Sequence, residues 1–301
     1  MHIFFATDGS ESARFALANI LALPWPYPVH VTLLTVLDIP HPPFTSLTPA
    51  ARRAYGAAMA TLRRDALDKA QEVIADVRRA LEPHVQSVAA RIHEGSPGPL
   101  IVETAMACRG DLVVVGCRGL GAIKRFFLGS ASTYVARSGH CSVLLAKRPP
   151  SGERRFLLAL DGSAHARAAL QWLADLDLSP EDWIQVVTVA ESPKASPGEQ
   201  VMERQRAKAR ALPGRCDAGA SAEEDVLAEA MQRLGTRRMR VTVTARRGHA
   251  ASEVLAAASE FGAQWLVLGA KGQQSPPDSA LGAVAGKVIS HALCSTVVVR
   301  P

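Results

Sequence analysis

The chain consists of two similar halves, because motifs from its first half return in its second half at a constant spacing. Asp8-Gly9-Ser10 returns as Asp161-Gly162-Ser163, 153 residues further along. Four glycines return at the same spacing: Gly95 as Gly248, Gly116 as Gly269, Gly119 as Gly272 and Gly129 as Gly282. A constant offset over a whole half indicates two copies of one folding unit, with almost no net insertion between them.

The junction between the copies is expected at Lys147–Glu153, a polar segment that contains two prolines and a glycine. Each copy then has about 150 residues, an ordinary size for one domain. Of the 301 residues 48% are hydrophobic, which is enough for a sizeable core in each copy. We therefore predict one domain at residues 1–149 and a second domain at residues 154–301.

Segments of strand and helix character alternate along both copies. Apolar runs such as Val29–Leu37 and Asp111–Gly116 have strand character, whereas Ser10–Leu21 and Ser130–Ser138 have helical character. Nearly continuous apolar strands that alternate with helices are typical of a parallel, doubly wound α/β sheet. The sequence thus predicts two tandem α/β domains. Residues 192–222 are polar and contain helix breakers, and we expect part of this stretch to be a mobile loop.

The segment Gly116–Ser132 combines features that a phosphate site needs. It follows an apolar strand whose carboxyl end would lie beside Asp8, where open α/β sheets bind their ligands. Gly116 and Gly119 let the backbone approach an anion closely. Gly129 precedes a helix whose first amides and dipole favour negative charge. The positively charged residues of the loop are Arg118, Lys124 and Arg125.

Other phosphate-binding motifs do not fit this loop. It lacks the G-K-[ST] of a P-loop, and its glycine spacing differs from the G-x-G-x-x-G of dinucleotide folds. Two roles for the Asp8–Ser10 motif stay open. Asp8 could accept a hydrogen bond from a ribose hydroxyl, with Val36 facing a base. Alternatively, the motif is only a turn whose serine caps the next helix.

Composition argues against several other classes of protein. The net charge of +6 is spread over both copies rather than concentrated in a basic stripe, so nucleic acid is not an expected partner. The five cysteines are scattered and no histidine has metal-ligand spacing, so neither a disulfide framework nor a structural metal is expected. The first residues lack a signal-peptide pattern, and no apolar run reaches the roughly 18–20 residues of a membrane helix. We expect a cytoplasmic protein without membrane insertion.

The loop resembles that of the universal stress proteins, whose nucleotide-binding members carry G-x2-G-x9-G-[ST]. The matching residues are Gly116, Gly119, Gly129 and Ser130. Asp8–Ser10 and Thr35–Asp38 are also similar to that family, and the resemblance extends over both copies. It implies, in each copy, an adenine nucleotide alpha hydrolase-like domain with strand order 3-2-1-4-5.

The resemblance also implies a ligand, ATP or ADP with or without Mg²⁺, in the first copy. At the matching positions, adenosine would lie near Thr7, Asp8 and Val36. Ribose and phosphates would be held by Gly116, Arg118, Gly119, Gly129, Ser130, Ala131 and Ser132. Because the family commonly pairs through its last strand, Val143–Leu145 and Val297–Val299 are expected to pair within this chain. Whether two such chains form a homodimer stays open.

The second copy keeps the loop glycines but loses most of the polar residues. Ala283 replaces Ser130, Ala285 replaces Ser132, Pro277 replaces Lys124, Asp278 replaces Arg125 and Lys271 replaces Arg118. Each charge-assisted hydrogen bond to a phosphate contributes about 1.5–3 kcal/mol, so losing several would weaken binding by orders of magnitude. We therefore predict that the second domain binds nucleotide weakly or not at all and is mainly a structural partner of the first.

Three functions stay open at this point. The first is a regulatory stress-response module that binds an adenine nucleotide and is read by an unidentified protein partner. The second is a slow ATPase on the same site. The third is an interaction scaffold that binds no nucleotide. No paired acid or activated nucleophile accompanies Asp8, so no catalytic residue is predicted, and binding is favoured over catalysis.

Overall fold

The computed structural model describes residues 1–39, 48–117, 128–190, 222–235, 239–276 and 279–301. The predicted mobile loop at 192–222 lies outside these ranges, apart from its last residue. The central part of the glycine-rich loop, residues 118–127, also lies outside them.

Strands and helices alternate through the first half, as predicted. The elements are β1 His2–Ala6, α1 Glu11–Ala22, β2 His30–Leu37, α2 Pro49–Leu81, β3 Ser87–Glu94, α3 Pro97–Ala107, β4 Leu112–Gly116, α4 Ser130–Ser138 and β5 Ser142–Ala146. The four segments singled out from the sequence are confirmed, with ends that shift by at most one residue.

The second half repeats this order. Its elements are β6 Arg155–Leu160, α5 Ala164–Ala174, β7 Trp183–Ala190, α6 Ala222–Leu234, β8 Arg240–Arg247, α7 Ala250–Phe261, β9 Trp265–Gly269, α8 Ala283–His291 and β10 Ser295–Val299. Each described element of the second half therefore has a counterpart of the same type in the first half.

The ten strands in the described ranges all belong to one sheet, in the order β3-β2-β1-β4-β5-β10-β9-β6-β7-β8. Each half thus has the expected order 3-2-1-4-5, and neighbouring strands within each half are parallel. In the first half the chain order reverses between β1 and β4, so the loops after these two strands leave from the same edge of the sheet.

Helices cover both faces of the sheet, because strand side chains alternate between two apolar clusters. Ile3 and Phe5 pack in one cluster with α1, α2, α5 and α6, whereas Phe4 packs in the other with α3, α4, α7 and α8. Both clusters contain residues from both halves. The protein therefore has a three-layer α/β/α core that continues across the repeat. No helix in the described ranges is long and apolar enough to cross a lipid bilayer.

The halves join where β5 and β10 pair antiparallel. Leu144 lies opposite Val297, Val143 opposite Val298, and these strands are fully buried. The expected pairing of the last strands within the chain is confirmed. Each strand covers the apolar edge that the other would expose. We call this junction the seam.

Candidate functional site

β1 ends in a tight turn that leads directly into α1. Gly9 has a φ of 73°, in the left-handed region that favours glycine. The Asp8 carboxylate accepts a hydrogen bond from the Ser10 amide at 3.0 Å, and the Ser10 hydroxyl accepts one from the Ala13 amide at 3.2 Å. Thr7 is buried beside this turn. The turn-and-cap role of the motif is thus confirmed, and contact between Asp8 and a ligand stays a prediction.

β4 ends directly against the N-terminus of α1. A Cβ atom at Gly116 would lie 2.5 Å from the carbonyl carbon of Ser12 and 2.8 Å from the Ala13 amide nitrogen. Because no side chain fits at such distances, only glycine lets β4 and α1 meet. In the second half, a Cβ atom at Gly269 would lie 2.6 Å from the carbonyl carbon of His165. A glycine at this position is therefore required for the packing of strand against helix in both copies, whether or not it also contacts a ligand.

The N-terminus of α4 carries a glycine where many helices have a capping side chain. Gly129 is the N-cap residue, and its amide donates to the Cys117 carbonyl at 2.6 Å. Ser130 is the first helical residue and is exposed, and Ala131 is half-buried. The cap has no side-chain hydrogen bond. A helix N-terminus of this kind presents backbone amides and positive dipole charge to its surroundings.

Ser132 connects this helix to the sheet. Its buried hydroxyl donates to the Gly116 carbonyl at 2.6 Å. The loop pattern predicts Ser132 as a phosphate ligand, and spacing alone did not indicate this bond to the strand. The structure thus assigns Ser132 a structural hydrogen bond, and a role toward a ligand stays a prediction.

Two helix N-termini converge at the carboxyl end of β4. Ser12 in α1 and Ser132 in α4 both contact Gly116, which stands beside the end of β1. Val36 is half-buried on β2 and is level with Asp8, since the register pairs Ala6 with Leu34. The predicted site residues within the described ranges therefore surround one edge of the sheet. The remaining predicted residues, Arg118 and Gly119, lie outside the described ranges, as do Lys124 and Arg125.

The corresponding edge in the second half is closed by its own loop. The Gly272 amide donates to the Ser275 hydroxyl at 2.9 Å, and the Gln273 amide donates to the Asp161 carboxylate at 3.2 Å. The Gln273 side chain also donates to the Asp161 carbonyl. A Cβ atom at Gly272 would lie 2.6 Å from the Asp161 carboxylate, so backbone and carboxylate touch closely. The amides and the carboxylate at this edge of the second half are thus hydrogen-bonded to other groups of the same edge.

His165 stands in the second half where the first half has Ser12. Its half-buried ring has an Nδ1 atom that finds no hydrogen-bond partner among the described residues. Burial lowers the pKa of His165, and the charges of Lys271 and Arg300 act in the same direction. Burial therefore favours the neutral form of the ring.

No three His, Cys, Asp or Glu side chains gather as metal ligands would within the part of the chain that the structure describes. The chemistry that the described residues offer at the first-half edge consists of backbone amides, a carboxylate and hydroxyls. Such groups are suited to binding an anion and a sugar, and they do not form a nucleophile–base pair.

Together, the fold and this edge define a tandem, doubly wound α/β protein with a glycine-rich loop after β4. The model of the universal stress protein family matches residues 1–147 and again residues 153–300. The chain therefore belongs to the universal stress protein family and contains two copies of its domain, as the loop resemblance predicted.

Relatives agree with this assignment. A universal stress protein of Methanocaldococcus jannaschii is 28% identical over 147 residues, which is 49% of this chain and 82% of the relative. A solved universal stress protein from Archaeoglobus fulgidus superposes with a TM-score of 0.62 at 19% identity, covering 99% of this chain and 98% of that one. A putative universal stress protein from Pseudomonas aeruginosa has a TM-score of 0.58 at 18% identity, with coverages of 100% and 93%. These two structures show a shared fold.

Proposed function

We propose that the protein binds one adenine nucleotide, ATP or ADP, in its first half, and acts as a nucleotide-responsive regulatory protein in stress responses. The observation that carries this proposal is the convergence of the α1 and α4 N-termini on Gly116. Two helix N-termini that meet at the switch point of a parallel sheet make a favourable place for phosphate.

The described residues fit such a ligand. Within the described ranges Asp8 accepts one hydrogen bond, from Ser10, which leaves its second carboxylate oxygen for a ribose hydroxyl. The glycine cap of α4 places no side chain beside the amides of Ser130 and Ala131, which phosphate oxygens could approach. Half-buried Val36 offers an apolar surface to the base. The bound nucleotide would supply negative charge that helix dipoles and backbone amides stabilise.

The second half fits the ligand poorly, which supports one nucleotide per chain. There the Gly272 amide donates to Ser275, and the Asp161 carboxylate accepts from Gln273. These two groups correspond to the Gly119 amide and the Asp8 carboxylate, which are proposed ligand contacts in the first half. A nucleotide would have to displace these internal bonds, and it would find Ala283 where the first half has the exposed hydroxyl of Ser130. We infer that the second domain is mainly a structural partner.

A matched pair of substitutions tests the site. Gly129→Asp keeps a favourable N-cap residue on α4 but places negative charge where phosphate would lie. Gly282→Asp places the same charge at the equivalent position of the second half, where its Cβ atom would lie 2.8 Å from the Ser275 hydroxyl. Isothermal titration of the full chain with ATP should give one site in the wild type, at least tenfold weaker binding in Gly129→Asp, and unchanged binding in Gly282→Asp. Native mass spectrometry of the purified protein would report any retained nucleotide and its stoichiometry.

Three outcomes would count against the proposal. Wild-type protein that binds neither ATP nor ADP would favour a nucleotide-independent scaffold. Two equivalent tight sites would overturn the assignment of the second half. Phosphate release from ATP that Asp8→Ala abolishes would favour an ATPase, whereas release that Asp8→Ala leaves unchanged would point to a contaminating enzyme.

A further inference from the structure

Arg300 belongs to the second half but binds the C-terminal end of α4 in the first half. It follows β10, which pairs with β5 at the seam. Its Nη2 atom donates to the Ala136 carbonyl at 2.6 Å, and its Nη1 atom donates to the Cys141 carbonyl at 3.1 Å. Its amide donates to the Ser142 hydroxyl at 3.2 Å. The C-terminal end of the last helix of the first half is therefore held by hydrogen bonds from a residue of the other half.

The same contact exists in reverse. Lys147 follows β5, and its Nζ atom donates to the carbonyls of Ile289 at 2.7 Å and Ala292 at 2.6 Å, at the end of α8. Lys147 and Arg300 are 153 residues apart, as are Ala136 and Ile289, so the two contacts are equivalent in the repeat. Each half thus supplies a positively charged side chain to the C-terminal end of the last helix of the other half. Positive charge at that end interacts favourably with the helix dipole.

The two helices differ in what their N-termini do. α4 begins at the proposed nucleotide site, whereas α8 begins at the loop that bonds to itself. α4 has nine residues, or about 13.5 Å at 1.5 Å per residue, and so short a helix depends on tertiary contacts for its stability. Val135 and Ala136 are fully buried within it. A shift at its C-terminal end would therefore move the whole helix, including the amides at its N-terminus.

We propose that Arg300 is a positioning residue for the nucleotide site of the first half. It holds α4 from across the seam, so that the amides after Gly129 keep their place at the end of β4. Affinity for nucleotide in one half then depends on a side chain of the other half. This inference rests on the proposed function, and it gives the second half a specific task beyond covering an edge.

The test uses the full chain with three substitutions. Arg300→Met removes the donors but keeps an unbranched chain, and Lys147→Met does the same at the equivalent contact. Both variants should lose thermal stability, since each frees buried helix carbonyls. Only Arg300→Met should weaken ATP binding in isothermal titration, by about tenfold. Arg300→Lys should restore most of the affinity, because Lys147 shows that one ammonium can reach two carbonyls at this position.

Hydrogen exchange without ligand gives a second readout that does not depend on nucleotide. Arg300→Met should raise amide exchange in residues 130–136, and Lys147→Met should raise it in residues 283–291. Suppose that the wild type binds ATP. If Arg300→Met then binds it equally well, or if both Met variants weaken binding equally, the positioning role is wrong, whereas the proposed function stands. If the wild type does not bind ATP, the proposed function fails, and unchanged exchange at 130–136 in Arg300→Met would then overturn the positioning role as well.

Discussion

Single residues at the first-half edge have separate tasks that the repeat helps to distinguish. Gly116 in the first copy and Gly269 in the second occupy equivalent positions. At each, a strand lies too close to a helix N-terminus, that of α1 or α5, for any side chain to fit. Ser132 is present only in the first copy, and its hydroxyl bonds the strand that precedes the loop. A residue that is lost from the second copy is therefore not necessarily a ligand contact, since it can also be part of the framework.

Gly116→Ala is expected to destabilise the protein by about 3 kcal/mol, because the new methyl group would force β4 away from α1. The free energy of unfolding from urea titration measures the effect. Gly56→Ala is the control, since that helical glycine has nothing within 4 Å of a Cβ atom and should stabilise by about 0.5–1 kcal/mol. An unchanged stability of Gly116→Ala would show that the two elements can separate at little cost.

His165 is expected to make stability depend on pH. Because burial lowers its pKa in the folded protein, the unfolded chain binds the proton more readily, with an ordinary pKa of about 6.5. Its contribution is therefore present above that value and is lost as pH falls toward the folded pKa. The fall in Tm between pH 7.5 and pH 5.5 should be smaller in His165→Gln than in the wild type. The exposed His140→Gln should behave like the wild type, and an equal fall in all three proteins would contradict the prediction.

At the scale of elements, turn chemistry sets where the helices begin. α1 and α5 each start after an Asp-Gly-Ser turn, with the aspartate bonding the serine amide at 3.0 Å in both halves. Ser10 and Ser163 then cap the helices through the amides of Ala13 and Ala166. Each turn makes a sharp exit from a buried strand, and this places the helix N-terminus at the edge where the loop after the fourth strand returns.

Loss of the cap on α1 is expected to cost about 1 kcal/mol, because Ser10→Ala leaves a helix amide without its acceptor. Ser10→Thr keeps a hydroxyl oxygen and should retain most of the stability. Urea unfolding of the two variants measures the difference. If both lose the same amount, packing of the buried Ser10 rather than its hydrogen bond accounts for the effect.

Over the whole molecule, the seam makes two domain-sized repeats into one structure. Trp265 in β9 is fully buried, stacks on Phe156 at 4.9 Å between ring centres, and donates to the Asn19 side chain at 2.7 Å. Asn19 in turn donates to the carbonyls of Phe15 and Arg148. A helix of the first half, a strand of the second half and the linker thus share one buried polar contact.

Trp265→Phe is expected to destabilise the chain by about 2–3 kcal/mol, since it leaves the Asn19 side-chain oxygen without this donor and reduces packing. Because the sheet and both apolar clusters continue across the seam, the loss should shift one unfolding transition of the whole chain. Far-ultraviolet circular dichroism and fluorescence of the remaining tryptophans should report the same midpoint in urea. Separate midpoints, with only one of them shifted, would show that the halves unfold independently.

Much of this architecture follows from the sequence, because it depends on local patterns and on the repeat. The apolar runs at Val29–Leu37 and Asp111–Gly116 are strands, and the expected order 3-2-1-4-5 holds in both halves. The family resemblance also anticipated the seam. The bond of the Gly129 amide to the Cys117 carbonyl and the bond of Ser132 to Gly116 were beyond sequence reasoning, because each joins groups whose approach depends on the packed sheet.

The sequence by itself determined that two copies of one α/β domain follow each other, which elements each copy has, and that only the first copy keeps the polar residues of a phosphate loop. These properties depend on periodicity and residue type, which folding does not alter. Only the tertiary structure decided which groups those residues meet. Hydrogen bonds and close packing require contact within a few ångströms. The bonds of Arg300 to α4, of Trp265 to Asn19 and of Gln273 to Asp161 therefore form only in the folded chain.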